Sequence, residues 1–299
     1  LFLVFNPDPV APLRFAPGSA SPSLRSVRFC VCRPITIHTE LNSYAMVSPM
    51  TRRRFYAPPS AFTRDAVRLD TDEARYLREV LRLKVGDQVY VFNGEGREFR
   101  CTIEEARRDS SLLKIVEEIG PSRPESPLNL TLAVALLKAD KFDLVVQKAT
   151  ELGVTAIRPV TTKLADIRLR DQSDARKRVT RWQRIAQEAA KQSGRAVVPV
   201  VSEPQPFSTL VVESPASAAR LLFSERDGHQ LLEPAETRDT SVKILTAMVG
   251  SEGGWTDEEL DLAREHGWEI VTLGGRTLRA ETAAIAVTTL LQHLFGDLK

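Results

Sequence analysis

A chain of 299 residues is longer than the usual single domain of about 100–200 residues, so its length predicts two domains with a sizeable core. Hydrophobic residues make up 42% and charged residues 27%, which excludes a disordered or collagen-like chain, and no apolar run approaches the ~20 residues that span a membrane. Three cysteines cannot form a disulfide framework and have no histidines at metal-ligand spacing near them, which favours a reducing cytoplasm.

The charge of the chain is close to balanced, with a net value of +2. That balance gives no argument for a nucleic-acid partner, and only local clustering of charge could. Such clustering exists, because residues 158–195 contain eleven Lys and Arg against four Asp and Glu.

The first fifty residues do not begin with Met, are rich in Ser, Pro and Arg, and show neither helical nor strand periodicity. We expect residues 1–50 to be a non-native or disordered extension outside the fold. The favoured hypothesis is upstream sequence translated ahead of a start at Met46 or Met50. An organelle transit peptide is the alternative, but the proline content argues against an amphipathic presequence helix.

Short alternating runs punctuated by glycine follow and predict a small β-barrel domain over residues 51–122. The predicted strands are Val89–Phe92, Glu98–Ile103 and Leu112–Val116, with a hairpin-type turn at Asn93–Gly94.

One helical stretch interrupts these strands at residues 72–82. Its spacing places Leu77, Val80 and Leu81 on one face and three arginines near the opposite side, where they either form a solvated face or contact RNA. Three prolines within Gly120–Pro127 then predict the domain boundary.

Strand and helix signals alternate over residues 127–299, which predicts an α/β domain with a mostly parallel sheet. The predicted strands are Leu130–Leu137, Val154–Val160, Ala196–Val201, Arg220–Phe223, Val242–Val249 and Glu269–Leu273. The predicted helices run from Asp140 to Gly153, over residues 175–193, from Thr256 to Gly267, and from Glu281 to Phe295. Ligands of such sheets bind beyond the carboxyl ends of the strands.

Two glycine-bearing loops join a predicted strand to a predicted helix. They are Met248–Trp255 and Leu273–Thr282. Glycine lets a backbone approach a ligand closely, although each loop alone is equally explained by tight turn chemistry. Neither loop has the glycine spacing of a phosphate-binding or dinucleotide-binding motif, which disfavours an NTPase or a nicotinamide enzyme.

Three further motifs precede these loops, at Leu136–Phe142, Gln147–Val154 and Glu188–Arg195. In order and spacing the five motifs resemble the ribosomal RNA small subunit methyltransferase E family of the SPOUT superclass, over roughly residues 51–299. The most diagnostic motifs are Gly-x-Glu-Gly-Gly at 250–254 and Leu-Gly-x-Arg-x-Leu-Arg-x-Glu-Thr at 273–282.

The resemblance implies an α/β SPOUT methyltransferase domain over 127–299, whose chain end threads a trefoil knot, preceded by a PUA-like β-barrel over 51–122 that helps to hold RNA. It implies that the protein uses S-adenosylmethionine to methylate N3 of one uridine in small-subunit (16S) ribosomal RNA, either as free RNA or in the assembled subunit. The enzyme is expected to be a cytoplasmic homodimer that needs no metal and has no membrane partner. The predicted cofactor-binding residues are Gly250, Glu252, Gly253, Gly254, Leu273, Gly274, Leu278 and Thr282. The predicted RNA-binding residues, acting mainly on phosphates, are Arg53, Arg54, Arg78, Arg82, Lys163, Arg184 and Arg195.

Methylation at uracil N3 requires a group that stabilises negative charge on O2 and O4 and a group that accepts the imide proton. Arg279 is the first candidate for the charge, because its guanidinium is permanently charged and fork-shaped. Glu281 is a candidate catalytic proton acceptor, although its place at a helix start also suits capping. Glu252 is either a base or a carboxylate that binds loop amides.

Other motif residues also keep two interpretations. Lys138 and Lys141 either meet phosphate or are simply solvated, and Glu188 and Arg195 either serve RNA or form a structural ion pair across a helix end.

Two residues depart from the family pattern: Ser251 stands where most relatives have Pro, and Tyr76 stands where relatives tend to have His. A proline would fix φ in the glycine loop, which Ser251 does not. One alternative function is therefore a noncatalytic RNA-binding ribosome-assembly factor with a decayed cofactor pocket. A second is a SPOUT methyltransferase that acts on a ribose 2′-hydroxyl or on transfer RNA.

Overall fold

The computed structural model of the chain describes residues 52–298, apart from residues 139, 168, 216, 227 and 231–241. The expectation for residues 1–50 lies outside the described residues. Within the described part of the chain, no helix is long and apolar enough to cross a membrane.

Five strands form a first sheet, in the order β1-β3-β4-β5-β2. Their bounds are β1 Arg54–Tyr56, β2 Ala66–Leu69, β3 Gln88–Phe92, β4 Glu98–Ala106 and β5 Ser111–Ile119. Only β1 and β3 pair in parallel, and β1 and β2 lie at the edges, so the predicted barrel is an open half-barrel. Its apolar face encloses a core that includes Phe55, Val91 and Ile103. The three predicted strands are confirmed.

The predicted helix at 72–82 is divided between an α-helix, α1 (Thr71–Arg75), and a π-helical turn at Tyr76–Val80. Leu77 is buried, but Val80 is 63% exposed. The prediction that the two share one face is wrong for Val80, because the wider π turn changes the angle between successive side chains.

Arg82 follows the π-helical turn with φ 53°, the left-handed conformation that favours glycine. The amide of Leu83 bonds to the carbonyl of Leu77 at 3.1 Å, so Arg82 occupies the position of a helix C-terminal cap. A non-glycine residue there costs about 1–2 kcal/mol, and the side chain of Arg82 is left exposed.

The second sheet has the order β11-β13-β10-β12-β6-β7-β8, with β9 beside β7, and all of its strand pairs are parallel. The strand bounds are β6 Asn129–Ala135, β7 Ala156–Thr161, β8 Val200–Val201, β9 Gln205–Pro206, β10 Ala219–Phe223, β11 His229–Gln230, β12 Ile244–Val249 and β13 Glu269–Thr272. The helix bounds are α2 Asp140–Glu151, α3 Gln172–Ser193, α4 Phe207–Glu213, α5 Asp257–Glu265 and α6 Ala280–Phe295.

Helices cover both faces of this parallel sheet, which explains why its central strands are mostly apolar on both faces. On one face Leu132 packs in a cluster with Phe142 of α2, Trp182 of α3 and Ala284 of α6. On the other face Ala133 packs in a cluster with residues of α4 and α5. The predicted α/β architecture is confirmed, whereas the threading of a knot stays a prediction.

The predicted strand Ala196–Val201 is wrong in its first half. Val197 instead bridges to Gly94 and Glu95 in the β3–β4 loop, and the amide of Val198 bonds to the carbonyl of Gly94 at 2.9 Å. This segment therefore pairs with the half-barrel, and only Val200–Val201 joins the parallel sheet.

Arg54 fastens the half-barrel to α3. It is 7% exposed and forms a two-pronged ion pair with Glu98, at 3.2 Å from Nε and 3.1 Å from Nη2. The same guanidinium donates to the carbonyls of Lys191 at 2.9 Å and Arg195 at 2.8 Å. These bonds satisfy carbonyls at and just beyond the last turn of α3 that the helix itself leaves unpaired.

A second contact of the half-barrel with α3 gives a testable pH dependence. Glu73 is 8% exposed, lies 2.7 Å from Nζ of Lys191, and has its pKa raised by burial from the ordinary 4.5 to about 7. Between these pH values the native state keeps a proton that the unfolded chain has lost, so this group's contribution to the free energy of unfolding falls as pH rises. We expect Glu73→Gln to flatten that fall in urea unfolding measured from pH 5 to pH 8. Glu79→Gln is the control, because Glu79 is a nearby carboxylate that is exposed. Equal slopes of the free energy of unfolding against pH for the wild type and Glu73→Gln would contradict the prediction.

Candidate active site

Both glycine loops line one cavity of about 400 Å³ beyond the carboxyl ends of β10, β12 and β13. Its walls come from residues 223–226 at the end of β10, from residues 249–252, 254 and 255 at the end of β12, and from the second loop and start of α6 after β13. Parallel strands end at the same edge of a sheet, so three loops distant in the sequence meet at one place.

The first loop turns around the indole of Trp255. This side chain is 2% exposed and donates from Nε1 to the carbonyl of Phe223 at 2.9 Å. A Cβ on Gly250 would lie only 3.1 Å from the indole ring, so a larger residue at Gly250 would displace the loop. Gly254 has φ +69°, which glycine adopts without strain.

The second loop is also shaped by glycine. Gly274 and Gly275 have φ values of +69° and +77°, and the amide of Gly274 bonds to Oγ1 of Thr272 at 3.1 Å. Leu278 is 37% exposed, and Arg279 is the N-cap residue of α6. The loop therefore offers backbone groups, an apolar side chain and a guanidinium to the same cavity.

Most of the predicted cofactor residues line this cavity: Gly250, Glu252, Gly254, Leu273, Gly274 and Leu278 do so. Gly253 lines a neighbouring cavity instead, and Thr282, one residue past Glu281, lines neither. Of the two predicted catalytic residues, Arg279 lines the first cavity, whereas Glu281 stands behind it with a side chain that is 12% exposed. Their roles stay predictions.

The wall formed by the loop after β10 was not predicted from the sequence. Glu225 and Arg226 line the cavity, and Nη2 of Arg226 donates to the carbonyl of Trp255 at 2.6 Å, which joins the loop after β10 to the first glycine loop. The available signal was the predicted strand end at Phe223, because the carboxyl end of every parallel strand at this edge is a candidate ligand contact.

Ion pairs surround the first glycine loop. The ammonium of Lys141 bonds to the carboxylate of Glu252 and lies 3.7 Å from that of Glu281, while Lys138 pairs with Asp166 at 2.8 Å. The hydrogen bond from Lys141 lowers the pKa of Glu252, which therefore stays a carboxylate at neutral pH. Lys141 is thus held by two carboxylates, so the interpretation that it is merely solvated is wrong, whereas that interpretation is retained for Lys138, which pairs with Asp166 between two exposed side chains.

A second cavity of about 260 Å³ opens on the other side of this loop and shares Ser251 and Glu252 with the first. Its remaining lining residues are Leu136, Leu137, Lys138, Lys141, Leu164, Asp166, Ile167 and Gly253. A Cβ on Gly253 would lie 2.8 Å from the carbonyl oxygen of Leu164, so glycine is required where these two segments meet.

Two of the predicted RNA-binding residues are not available to RNA. Arg54 is enclosed between the half-barrel and α3, and Arg195 is 5% exposed, pairing with Glu125 at 2.8 Å and donating to the carbonyl of Thr150 at 2.7 Å. The prediction of phosphate contact is therefore corrected for both residues. The alternative ion pair between Glu188 and Arg195 is also wrong, because Glu188 pairs with Lys191.

The other predicted RNA-binding residues reach the surface. Arg53, Arg82, Lys163 and Arg184 are exposed, and Arg78 is half-buried with a bond to the carbonyl of Arg107 at 2.7 Å. Arg184 pairs with Asp72 at 2.5 Å, between two exposed side chains. Exposed pairs of this kind hold their partners weakly, so the arginine can exchange its carboxylate for a phosphate.

No metal site is formed by the described residues, since they contain no group of three His, Cys, Asp or Glu side chains that could hold an ion. A cavity built from loop backbone, apolar side chains and a few charges is the kind of site that takes a small organic ligand.

Comparison with known proteins identifies the family. A model described as an RNA methyltransferase domain matches residues 124–292, and one described as an RNA methyltransferase PUA domain matches residues 69–116. The ribosomal RNA small subunit methyltransferase E of Synechocystis is 34% identical over 265 residues, covering 85% of this chain and 84% of that protein. The protein of the same name from Bacillus subtilis is 30% identical over 234 residues, covering 76% and 91%.

A solved structure is similar over the same span. The ribosomal RNA small subunit methyltransferase E from Neisseria gonorrhoeae, bound to S-adenosyl methionine, superposes with a TM-score of 0.74 at 33% identity, covering 83% of this chain and 100% of that one. A parallel α/β sheet with a loop-built cavity, preceded by a PUA-like half-barrel, defines the class as RNA methyltransferase. The chain belongs to the ribosomal RNA small subunit methyltransferase E family, as the motifs predict.

Proposed function

We propose that this protein uses S-adenosylmethionine to methylate N3 of one uridine in small-subunit ribosomal RNA. The observation that carries the proposal is the single cavity formed by the two glycine loops, in a chain whose relatives are methyltransferases of small-subunit ribosomal RNA. The structure of a relative bound to S-adenosyl methionine supports the choice of cofactor.

The residues of the cavity suit this cofactor. Its volume of about 400 Å³ lies in the range of small-molecule sites. Leu273, Leu278 and Val287 offer apolar surface to an adenine ring, and the backbone at Gly250 and Gly274 offers polar groups at close range. A Cβ on Gly250 would press on the indole of Trp255 at 3.1 Å, so glycine at this position lets the first loop pack closely on Trp255 beside the cavity.

When bound, the cofactor supplies an electrophilic methyl group on a positively charged sulfur. The chain's own residues hold the nucleophilic nitrogen in line with that methyl group, and such orientation can supply about 7–11 kcal/mol of the barrier. Arg279 lines the cavity, and in this proposal its guanidinium stabilises the charge that develops on the uracil oxygens. The carboxylate of Glu252 lines the same cavity from the first glycine loop and can accept a proton.

The exposed arginines of the half-barrel and the basic residues of α3 provide the RNA contacts in this proposal. They would act on phosphates and set the register of the RNA without reading its sequence. We further propose that the protein works in the cytoplasm as a homodimer on ribosomal RNA, free or assembled into the small subunit. These points rest on the family to which the chain belongs.

Two measurements on the purified protein test the proposal. Calorimetry should detect binding of S-adenosylmethionine, and mass mapping of nucleosides after incubation with small subunits and with free ribosomal RNA should detect N3-methyluridine. A 2′-O-methyl product or a transfer RNA substrate would replace the proposed reaction with that of another SPOUT enzyme. Absence of cofactor binding would favour the noncatalytic assembly factor.

A further inference from the structure

We propose that the first cavity recognises the amino-acid end of the methyl donor through two side chains of opposite charge: Glu225 for its ammonium group and Arg276 for its carboxylate. Glu225 lines the cavity from the loop after β10, and Arg276 lines it from the second glycine loop. This inference rests on the proposed function. It adds the two side chains by which the protein distinguishes S-adenosylmethionine from other adenosine derivatives.

Five charged side chains line this cavity, and three of them have partners within the protein. Arg226 donates to the carbonyl of Trp255 at 2.6 Å. Glu252 accepts a hydrogen bond from Lys141, which lowers its pKa, and the charge of Arg279 acts on the same carboxylate. These three groups therefore hold the walls of the cavity or balance one another's charge.

Glu225 and Arg276 are the remaining two charged side chains. In the part of the chain that the structure describes, neither side chain has a hydrogen bond or an ion pair, and both are exposed. A free carboxylate and a free guanidinium on two walls of one cavity complement a ligand that carries a cation and an anion close together.

S-adenosylmethionine carries such a pair of charges. Its ammonium group and its carboxylate are attached to one carbon, at the opposite end of the molecule from the adenine ring. The fork of a guanidinium matches the two oxygens of a carboxylate, and a carboxylate accepts hydrogen bonds from an ammonium group. Leu273, Leu278 and Val287 offer apolar surface to the adenine, so both ends of the molecule have counterparts in the cavity.

Hydrogen bonds on either side of Glu225 hold its backbone at the cavity wall. The carbonyl of Phe223 accepts from Nε1 of Trp255 at 2.9 Å, and Arg226 donates to the carbonyl of the same tryptophan. Glu225 therefore lies in a short segment that is tied to the first glycine loop at both ends. Such a segment has little freedom to lose when its carboxylate binds a ligand.

The second glycine loop places Arg276 close to the reacting end of the cavity. Gly274 and Gly275 turn the chain with φ values of +69° and +77°, and the amide of Arg276 bonds to the carbonyl of Gly274 at 3.1 Å. Arg276 is three residues before Arg279, so their backbones are at most about 10 Å apart. A methyl donor whose sulfur lies near Arg279 can therefore reach Arg276 with its amino-acid end.

Four ligands measured by calorimetry separate the two contacts. S-adenosylmethionine and S-adenosylhomocysteine carry both charges of the amino-acid end, decarboxylated S-adenosylmethionine carries only the ammonium group, and 5′-methylthioadenosine carries neither. S-adenosylhomocysteine and 5′-methylthioadenosine both have an uncharged sulfur, so their comparison leaves the sulfonium out. We expect the wild type to bind S-adenosylhomocysteine about 100-fold more tightly than 5′-methylthioadenosine, because each of two charged hydrogen bonds contributes about 10-fold.

Arg276→Ala should weaken the binding of both carboxylate-bearing ligands about 10-fold and leave the other two within about 2-fold of the wild type. Arg276→Lys should recover part of that loss, because lysine keeps the charge without the fork. Arg264→Ala is the matched control, since Arg264 is an exposed arginine of α5, and it should bind all four ligands as the wild type does.

Glu225→Gln should weaken the binding of the three ligands that carry the ammonium group about 10-fold and leave 5′-methylthioadenosine within about 2-fold of the wild type. Glu265→Gln, which changes an exposed carboxylate of α5, is the control. The melting temperature is measured for every variant and should not change, because both cavity side chains are exposed.

Arg276→Ala with unchanged affinity for S-adenosylmethionine overturns the assignment of Arg276, and a loss of affinity for ribosomal RNA in that variant would assign its guanidinium to a phosphate instead. Equal weakening of all four ligands in Glu225→Gln overturns the assignment of Glu225, by moving its carboxylate to the ribose hydroxyls that they share. A wild type that binds S-adenosylhomocysteine and 5′-methylthioadenosine equally well overturns both assignments. A wild type that binds none of the four ligands refutes the proposed function and the inference with it.

Discussion

Replacing Arg279 by alanine is expected to lower the turnover of RNA methylation about 10²–10³-fold, the usual effect of removing one group that stabilises developing charge. Arg279 lines the cofactor cavity at the start of α6, and its charge, after that of Lys141, contributes to the lowered pKa of Glu252. Its guanidinium therefore lies near the place where negative charge would appear on the base. In this role the guanidinium acts on the charge of the reacting base, so the affinity for S-adenosylmethionine should change less than 3-fold.

Single-turnover methylation and calorimetry separate these two effects. Arg264→Ala, which removes an exposed arginine of α5 paired with Asp261, is the control and should leave both quantities unchanged. If Arg279→Ala weakens cofactor binding as much as it lowers turnover, then Arg279 recognises the cofactor and does not stabilise the reacting base.

Replacing Arg54 by alanine is expected to lower the free energy of unfolding by about 3–5 kcal/mol, which is the cost of removing one partner from a buried ion pair. Glu98 is fully buried and would keep only the weaker contacts from Arg52 and Ser122. The carbonyls of Lys191 and Arg195 would lose their donor at the same time. Urea unfolding measures this loss directly.

Arg53→Ala is the matched control for this experiment, since Arg53 is the preceding residue and is exposed. It should change stability by less than about 0.5 kcal/mol. Arg54→Lys should fall between the two, because lysine keeps the charge but cannot reproduce the two-pronged bond to Glu98. A loss below about 1 kcal/mol for Arg54→Ala would show that the half-barrel is fastened to α3 by other contacts.

The parallel sheet could be predicted from the sequence because its signals are strong and local. The run at Leu130–Leu137 is apolar except for Thr131, since both faces of β6 are covered, and Thr256 with Glu259 forms the capping box that begins α5. Helix α4 was not predicted, because seven residues after Pro206 are too few to show a clear period. Its stability comes from packing onto the sheet.

The parts of the candidate site that depend on glycine in the backbone could be predicted from the sequence. Glycines between a predicted strand and a predicted helix indicated both loops, and the structure brings them to one cavity. Side-chain burial could not be predicted in the same way. Arginine is usually a surface residue, and Arg54 and Arg195 are buried only because the half-barrel packs against the end of α3. The second cavity depends on Leu164, which lies far in sequence from the glycine it contacts.

The hydrogen bonds of Arg54 to the end of α3 fix the position of the half-barrel relative to the cavities. The half-barrel cannot swing without breaking the buried hydrogen bonds from Arg54 to the carbonyls of Lys191 and Arg195, so the span from its exposed arginines, including the left-handed Arg82, to the cavities is fixed. We expect the protein to recognise an RNA whose three-dimensional fold places a uridine at that distance from a suitable phosphate. The nucleotide sequence around the uridine should matter much less.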